Sequence, residues 1–371
     1  MKYCSIKLHQ PDYRFIIALA LIIVFGLIML SSASVSLSYD KFGEGYYYVK
    51  HQILNGLIPG IILLIIFSFI DYRFWKKIAL GLLIFSIILL VLVFVPGIGA
   101  GYGSANSWLN ILGFSFQPSE LVKLTFLIYL ATWLESRGQK KASDFSEGLV
   151  PFLSILGIIA VLLILQPDIG TMSIIILTSL AVYFIGGANL IHMLGVGLAG
   201  FLSLVVLIKI SPYRAARLMT FLHPELDPQG IGYHINQAFL AIGSGGFWGR
   251  GFGMSRQKFQ YLPEVAGDSI FAIIAEELGF FLATILILGF LYLMYRGFKI
   301  AQNAPDSFSK ILVIGIVSWI MIQAFVNIGA MVGLLPLTGV PLPFISYGGT
   351  AMAVLLAACG IVINISRKTC V

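Results

Sequence analysis

The chain contains ten apolar segments of roughly 16 to 26 residues, and about 20 apolar residues are enough for a helix to cross a membrane. Only 11% of the 371 residues are charged, whereas a soluble protein has about 25%. These features exclude a soluble globular protein. They predict an all-α polytopic membrane protein, a single domain over residues 1–371 with ten transmembrane helices. The segments lie near residues 14–34, 49–70, 78–95, 118–134, 149–166, 170–186, 191–210, 269–295, 309–335 and 349–366.

The positive residues orient the predicted bundle. If the N-terminus is cytoplasmic, most of the 23 Lys and Arg residues fall in inner loops, and the short outer loops hold only Lys41 and Lys50. This is the bias that the positive-inside rule describes. Both termini are then cytoplasmic, and a long extracytoplasmic loop, about residues 211–268, joins spans seven and eight. The net charge of +7 follows from this topology, so no nucleic-acid partner is predicted.

The long loop between spans seven and eight is unusual because it is rich in cations, among them Arg214, Arg217 and Lys258. Such charges suit anionic lipid headgroups or a diphosphate. The alternative is that long loops cross the membrane regardless of their charge. Apolar residues at near-helical spacing in Ala215–Phe221 and Ile235–Ile242 predict short helices at the membrane interface.

A lone acid, Asp268, ends this loop directly before an apolar helix. Its position predicts an N-cap at the water-facing end of that helix, where the helix end and the low-dielectric membrane edge both act on the carboxylate. A cap with no chemical role is the alternative interpretation. Glu276 and Glu277 follow two turns into the helix, so one face of it must meet protein or water rather than lipid. Glu277 and Asp268 point to roughly opposite faces.

Three further stretches are unusual for membrane-spanning helices, two because they carry charged residues and the third because its prolines and glycines break a helix. Glu120 and Lys123 are three residues apart, which puts them on one face of span four, either as a structural ion pair or as part of a polar cavity. Asp168 lies in the tight turn QPDIGT between spans five and six. Residues 334–350, LLPLTGVPLPFISYGGT, predict either a buried, cavity-lining stretch of irregular backbone or an ordinary outer loop.

Several of these stretches together resemble the SEDS proteins, the shape, elongation, division and sporulation family of bacterial cell-wall polymerases. The segment SRQKFQYLPE and the early MLSSAS are closer to the division branch, FtsW, than to the elongation branch, RodA. The segments that carry the resemblance are FQPSELVKL, QPDIGT, HPELDPQGIGYHINQAFLAIGSGG, GRGFGMSRQKFQYLPEVAGDSIFAIIAEELGF and GLLPLTGVPLPFISYGGT.

The resemblance implies a peptidoglycan glycosyltransferase of the bacterial cytoplasmic membrane. Such a protein polymerises lipid II into undecaprenyl-linked glycan at the outer face and works with a class B penicillin-binding protein and other divisome or elongasome membrane proteins. The family's essential acid falls on Asp268, and its other motif residues fall on Glu120, Lys123, Asp168 and Thr171. Further candidates for supporting the substrate, within the matching segments, are His234, Gln237, Glu264 and Ser346, together with Arg214, Arg217 and Lys258.

The chain departs from the family pattern at two places. The family commonly reads His-Thr-Asp-Phe around its acid, whereas this chain reads Ala266-Gly267-Asp268-Ser269. The family also commonly has an Arg before the Trp that follows span three, and this chain has Ser107 before Trp108. If that Arg steadies a diphosphate, another cation must do so here, with Arg214, Arg217 and Lys258 as candidates.

The expected reaction inverts the anomeric centre, because an α-linked donor becomes a β-linked product. It therefore needs one general base, Asp268, and no covalent intermediate. The departing diphosphate needs positive charge from the loop or from a divalent cation such as Mg or Mn. The alternatives are an elongation-type polymerase, a flippase or transporter of lipid-linked precursors, and a non-catalytic scaffold for which Asp268 is dispensable.

Overall fold

The computed structural model describes residues 9–97, 99–102, 105–111, 114–210, 212–223 and 230–368, and these residues are mostly helical. The two predicted helices of the long loop are present, at Pro212–Leu222 and Ile231–Gly245. The helices are α1 (Tyr13–Phe42), α2 (Tyr47–Gln52), α3 (Ile58–Phe69), α4 (Tyr72–Leu92), α5 (Pro118–Ala142), α6 (Val150–Leu165), α7 (Ile169–Ile185), α8 (Leu190–Ile210), α9 (Pro212–Leu222), α10 (Ile231–Gly245), α11 (Ile270–Gln302), α12 (Ser307–Met331) and α13 (Gly349–Ser366).

Seven helices of the described chain are long and apolar enough to cross a membrane. Two of them include a single π-helical turn: residues 53–57 join α2 to α3, and residues 145–149 precede α6. Ile169–Ile185 and Leu190–Ser203 are shorter apolar helices. The prediction of a multi-pass helical membrane protein is therefore confirmed. The seven are Tyr13–Phe42, Tyr47–Phe69, Tyr72–Leu92, Phe145–Leu165, Ile270–Gln302, Ser307–Met331 and Gly349–Ser366.

The chain is not entirely α-helical, because a small antiparallel sheet lies between α4 and α5. Its strands are β1 (Gly99–Tyr102), β2 (Ala105–Ile111) and β3 (Phe114–Phe116), in the order β1-β2-β3. The all-α prediction missed it because these short strands lie in a Gly-rich stretch without clear alternation of apolar and polar residues. Ser107 in β2 is buried and donates to the carbonyl of Gln166 at 3.2 Å, which ties the sheet to the turn before α7.

The centre of the bundle is formed by α12 and α13, which are buried along most of their length. The other long helices surround them, so α3 packs on α13, and α5, α7 and α11 pack on α12. At one end of the bundle, polar contacts join the start of α1, the α3–α4 and α11–α12 turns and the end of α13. They are Asp12 with Arg296 (2.5 Å), Asp306 with the Tyr72 hydroxyl (2.7 Å) and Asp71 with Lys368 (2.5 Å).

Helix α11 is broken at Gly279, whose φ of 74° lies in the left-handed region that glycine adopts readily. A break inside an apolar helix leaves backbone groups without helical partners, and these groups must find partners within the protein. The loop of residues 246–251 crosses the break and supplies them. The hydrogen bonds are Arg250 N to Glu276 O (3.0 Å), Gly251 N to Glu277 O (2.9 Å), Phe280 N to Gly246 O (2.9 Å) and Phe281 N to Phe247 O (3.1 Å).

Candidate functional site

The candidate site is built on the irregular segment of residues 334–348, which links α12 to α13. Its second half is buried: Leu342, Phe344 and Ile345 are each 1–2% exposed. Irregular backbone is stable at such a position only when it is enclosed by protein or lines a cavity. Residues 342–346 therefore fit the buried interpretation of this stretch, whereas Leu334 in its first half is exposed.

Asp268 lies half-buried directly before α11, and its main chain is held by a neighbouring helix. The carbonyl of Asp268 accepts a hydrogen bond of 2.7 Å from the Asn327 amide of α12, and the same amide donates to Val340 O at 2.8 Å. The predicted N-cap is wrong by one residue, because α11 begins at Ile270 and its N-cap is Ser269. The N-cap position of this helix therefore belongs to Ser269, the neighbour of Asp268.

The turn before Asp268 is fixed by the 334–348 segment. Ser346 donates to Gly267 O at 2.7 Å, and the backbone N–H of Tyr347 donates to Ala266 O at 2.8 Å. Ser346, a predicted substrate contact, is thus 5% exposed and bonded to main chain, so it positions the Asp268 turn. Glu264 has a φ of 50°, unusual for a residue other than glycine, and its carbonyl accepts the N–H groups of Gly267 and Ser269.

The turn that contains Asp168 lies on the other side of the same segment. Gly170 packs so closely on it that a β-carbon there would lie 2.5 Å from Thr338 O. A β-carbon at Gly339 would lie 3.9 Å from Asp268 Oδ2. Residues 338–340 therefore contact both the Asp268 side chain and the turn that contains Asp168.

Asp168 joins two motifs that the sequence keeps 50 residues apart. It caps α7 by accepting the backbone N–H of Thr171 at 3.0 Å. Its Oδ2 also accepts hydrogen bonds of 3.3 Å from Gln117 Nε2 and from Ser119 Oγ, at the start of α5. The side chain of Asp168 thus fastens the QPDIGT turn to the QPSE motif, and Thr171 takes part through its main chain.

Glu120 and Lys123 form the predicted ion pair at 2.8 Å, and both side chains are at most 3% exposed. Lys123 Nζ donates to Gln323 Oε1 at 3.0 Å, and Gln323 Nε2 donates to Pro341 O at 2.9 Å. The pair therefore reaches the 334–348 segment through Gln323. Because both charges are enclosed, they fit a role in holding this segment rather than direct contact with a diphosphate.

His234 is brought next to Asp268 by α10, although 34 residues separate them. Its Nε2 lies 2.6 Å from Ser269 Oγ, and Ser269 Oγ lies 3.5 Å from Asp268 Oδ1. Gln237, one turn further along α10, is half-buried. Helix α10 thus brings His234 next to Ser269, the residue that follows the loop acid.

Lys258 does not fit its predicted role at a diphosphate. It is 2% exposed, and its Nζ contacts Glu277 Oε1 at 2.9 Å, Gly253 O at 2.7 Å and Ser32 Oγ at 3.1 Å. The prediction that Lys258 binds the diphosphate is therefore wrong. Its ammonium group is enclosed by these acceptors and could reach a substrate only by breaking the buried pair with Glu277. Arg214 and Arg217 belong to α9, but their side chains lie outside the described residues, so their role stays a prediction.

Sequence reasoning missed Asn327, Gln323 and Ser269. Asn327 and Gln323 are polar residues four positions apart in the otherwise apolar α12, which puts them on one helix face. That spacing was a usable signal, since polar side chains within a membrane helix usually meet protein. Ser269 gave no such signal, because its contact with His234 depends on how α10 packs against α11.

No group of three or more His, Cys, Asp or Glu side chains in the described part of the chain is arranged to hold a metal ion. Glu264 and Asp268 belong to the same turn, in which a β-carbon at the intervening Gly267 would lie 3.2 Å from Glu264 Oε2. Mg²⁺ is commonly held by one or two carboxylates together with water and substrate phosphates. The residues present fit that open kind of site rather than a closed one.

Comparison with known proteins identifies the family. A family model described as "Cell cycle protein", covering FtsW, RodA and SpoVE, matches residues 13–370. The chain is 40% identical over 361 residues to stage V sporulation protein E of Bacillus subtilis (strain 168), covering 97% of this chain and 98% of that protein. It is 38% identical over 344 residues to the probable peptidoglycan glycosyltransferase FtsW of Geobacter sp. (strain M18), covering 93% of each.

Solved structures have the same fold. A chain solved in a study of polymerization and crosslinking by a peptidoglycan synthase complex matches with a TM-score of 0.80 and 28% identity, covering 96% of this chain and 98% of that one. The rod shape determining protein RodA of Thermus thermophilus matches with a TM-score of 0.71 and 26% identity, covering 97% of each. The sequence is thus closer to the FtsW and SpoVE relatives than to this RodA, as the motifs predicted. The chain belongs to the SEDS family of multi-pass membrane proteins, the family of FtsW, RodA and SpoVE, and it is FtsW-like.

Proposed function

We propose that this chain is a peptidoglycan glycosyltransferase that polymerises lipid II during cell division, with Asp268 as its general base. Family membership supports the activity, since relatives that align over almost the whole chain are named as such glycosyltransferases. The observation that carries the catalytic assignment is the position of Asp268. Its carboxylate is half-buried where α10, α11 and the 334–348 segment meet, while its main chain is held by Asn327.

The proposed step is a single displacement. A sugar hydroxyl oxygen of one lipid II forms a bond to the anomeric carbon of the growing glycan, Asp268 takes the hydroxyl proton, and the lipid diphosphate leaves with the electron pair of the broken bond. The donor linkage is α and the product linkage is β, so one base suffices and no covalent intermediate forms. General-base assistance of this kind contributes about 10²- to 10⁴-fold to a rate.

Positive charge must stabilise the leaving diphosphate. We assign this role to Arg214 and Arg217, the loop cations of α9, because Lys258 is enclosed by Glu277 and Ser32. A divalent cation, Mg or Mn, would supply further charge if it were held by phosphate oxygens and by Asp268 or Glu264.

In this proposal the seven helices of membrane length cross the bilayer together with α5, α7 and α8, and both termini are in the cytoplasm. The loop of about residues 211–268 and the Asp268 site are then extracytoplasmic. The distribution of Lys and Arg supports this orientation. Lipid II, made in the cytoplasm and presented at the outer face of the membrane, would reach Asp268 from the outer leaflet. Its lipid tail would lie between helices.

We also propose that the chain assembles with a class B penicillin-binding protein and other division membrane proteins. The support is its similarity to a chain solved in a peptidoglycan synthase complex, at a TM-score of 0.80. In such an assembly the partner would supply the transpeptidase, and this chain would supply the glycan strand.

The test is polymerisation of lipid II by the purified protein in detergent, read on a gel, for wild type and Asp268→Asn. We expect glycan strands from the wild type and none from Asp268→Asn, while thermal unfolding is unchanged. Because detergent has no two sides, strands formed there cannot come from a flippase. Strands made by Asp268→Asn would disprove its role as base, and a chelator arm shows whether a divalent cation is used.

A further inference from the structure

Ser269 occupies the N-cap of α11 but does not cap it. A serine at this position usually accepts a backbone N–H from the first turn, which stabilises a helix by about 1 kcal/mol. Here φ is −87° and ψ is 1°, and the side chain makes no capping hydrogen bond. Proteins depart from such local preferences mainly at functional sites. The missing capping bond therefore suggests that the Ser269 hydroxyl has a different role.

The hydroxyl of Ser269 lies between His234 and Asp268. His234 Nε2 is 2.6 Å from Ser269 Oγ, and Ser269 Oγ is 3.5 Å from Asp268 Oδ1. An ionised carboxylate only accepts, so the hydroxyl must donate its proton to Asp268. The Ser269 oxygen then accepts from His234, which requires the proton on Nε2. The direction of both hydrogen bonds follows from the charge of Asp268.

His234 is held rigidly enough to set this geometry. Ile235, Ala238 and Ala241 on the inner face of α10 are at most 4% exposed. At Gly245 the helix comes so close to α11 that a β-carbon would lie 2.0 Å from Ala275 O. A side chain on a tightly packed helix can orient a partner more precisely than one on a loop.

We propose that His234 and Ser269 form a two-link hydrogen-bond chain that orients the Asp268 carboxylate for catalysis. The bond from Ser269 Oγ to Asp268 Oδ1 sets the rotation of the carboxylate. The other oxygen, Oδ2, is then on the side of Gly339. His234 and Ser269 are positioning residues, and their assignment rests on the proposed role of Asp268.

The second link of this chain, from Ser269 Oγ to Asp268 Oδ1, is the longer of the two. The separation of 3.5 Å is long for a hydroxyl–carboxylate bond. Hydrogen bonds to catalytic groups commonly tighten when the substrate is bound.

The experiment measures kcat and KM for lipid II polymerisation in detergent with paired variants. Ser269→Ala and His234→Leu each remove one link, whereas Ser269→Thr keeps the hydroxyl and His234→Gln keeps a donor near the position of Nε2. We expect the first pair to lower kcat about ten-fold with KM almost unchanged, as for loss of one hydrogen bond to a charged group. We expect the second pair to stay within about three-fold of wild type.

The double variant His234→Leu/Ser269→Ala tests whether the two residues act as one chain. If they do, the kcat of the double variant equals that of the less active single variant. If they act independently, the fold-losses in kcat of the two single variants multiply in the double variant. Ser244→Ala is the matched control, since its hydroxyl donates to Ala241 O on α10 itself, and it should keep wild-type kcat. Melting temperatures of all variants identify any that fail to fold.

Three results overturn the inference: wild-type kcat in Ser269→Ala, multiplied losses in the double variant, or His234→Gln as weak as His234→Leu. Asp268→Asn is included to separate this inference from the proposed function. If Asp268→Asn is inactive while the His234 and Ser269 variants are normal, only the positioning chain fails. If Asp268→Asn polymerises lipid II, the proposed function itself fails.

Discussion

Two sets of acids flank the first turns of α11 and differ in how the protein uses them. Glu277 is 0% exposed, and its carboxylate accepts from Lys258 Nζ, Ser32 Oγ and the N–H groups of Gly253 and Ser255. Asp268, nine residues earlier, is half-buried and is held mainly through its own carbonyl and the neighbouring turn. The carboxylate of Glu277 holds the loop together, whereas at Asp268 the loop holds the residue in place.

Glu276 extends the first set. Its carboxylate accepts the hydroxyl of Ser255 at 2.5 Å and the N–H groups of Arg256 and Gln257 at 3.0 and 3.3 Å. Together the two glutamates fold residues 253–258 onto α11. A buried carboxylate with this many donors is a structural group, so exposure and the identity of the donors distinguish structural from catalytic acids better than sequence position does.

The largest expected effect is a difference between the Asp268 and Glu277 variants, the first losing activity and the second losing stability. Asp268→Asn should lower lipid II polymerisation by about 10²- to 10⁴-fold, because the proposed general base is lost, and leave the melting temperature near that of wild type. Glu277→Gln should instead lower the melting temperature, because it leaves Lys258 buried without a counter-charge. Gel assays and thermal unfolding of the two purified variants test this. A Glu277→Gln protein that is stable but inactive would contradict the distinction.

The second effect concerns the buried pair itself. Lys258→Met should lower the free energy of unfolding by about 3–5 kcal/mol, since it leaves the Glu277 charge enclosed without its partner. The double variant Lys258→Met/Glu277→Gln should recover a large part of this loss. Lys50→Met, which breaks the exposed pair with Glu44, is the control and should change stability by at most about 1 kcal/mol. Denaturant unfolding in detergent gives the three values.

The third effect tests the loop that crosses the α11 break. Gly249 and Gly246 both have positive φ, but only a β-carbon at Gly249 meets backbone, 2.2 Å from Glu277 O. Gly246→Ala should cost about 1–3 kcal/mol from backbone strain alone, because its φ of 55° and ψ of −147° lie in a region that only glycine adopts readily. Gly249→Ala adds a steric overlap and should cost a further 1–3 kcal/mol or so. Equal melting temperatures for the two variants would show that the loop moves away from the break without penalty.

The smallest effect lies at the opposite end of the bundle. Burial opposes the charge of Asp71, but the hydrogen bond from Lys368, the N–H of Arg73 and the positive charges of both outweigh it, and the pKa of Asp71 is lowered. A lowered pKa in the folded state stabilises the protein above the unfolded pKa of about 3.9 and is lost as pH falls through the folded value. The small melting-temperature difference between wild type and Asp71→Asn should therefore begin to shrink near pH 4 and vanish only below the lower pKa of the folded state. A difference that stays constant as the pH falls would contradict the assignment, and Lys368→Met should weaken the same pH dependence.

The predictions that succeeded rested on local properties of the chain. The apolar segments near residues 14–34 and 309–335 became α1 and α12, and three-residue spacing placed Glu120 beside Lys123. The predictions that failed depended on distant contacts. Lys258 was expected to meet a phosphate, but Ser32 of α1 and Glu277 of α11 enclose it, and neither partner could be recognised from spacing alone.

What the sequence by itself determined is the membrane-spanning helical class, the family and the motif acids, because hydrophobic length and short motifs are written in neighbouring residues. Tertiary structure decided which acids are enclosed and which face the site. It turned Glu277 into a structural group, tied Asp168 to the start of α5 and brought His234 within 2.6 Å of Ser269. These outcomes depend on the packing of helices that are far apart in the chain, and burial and hydrogen bonding there fix the chemical character of each carboxylate.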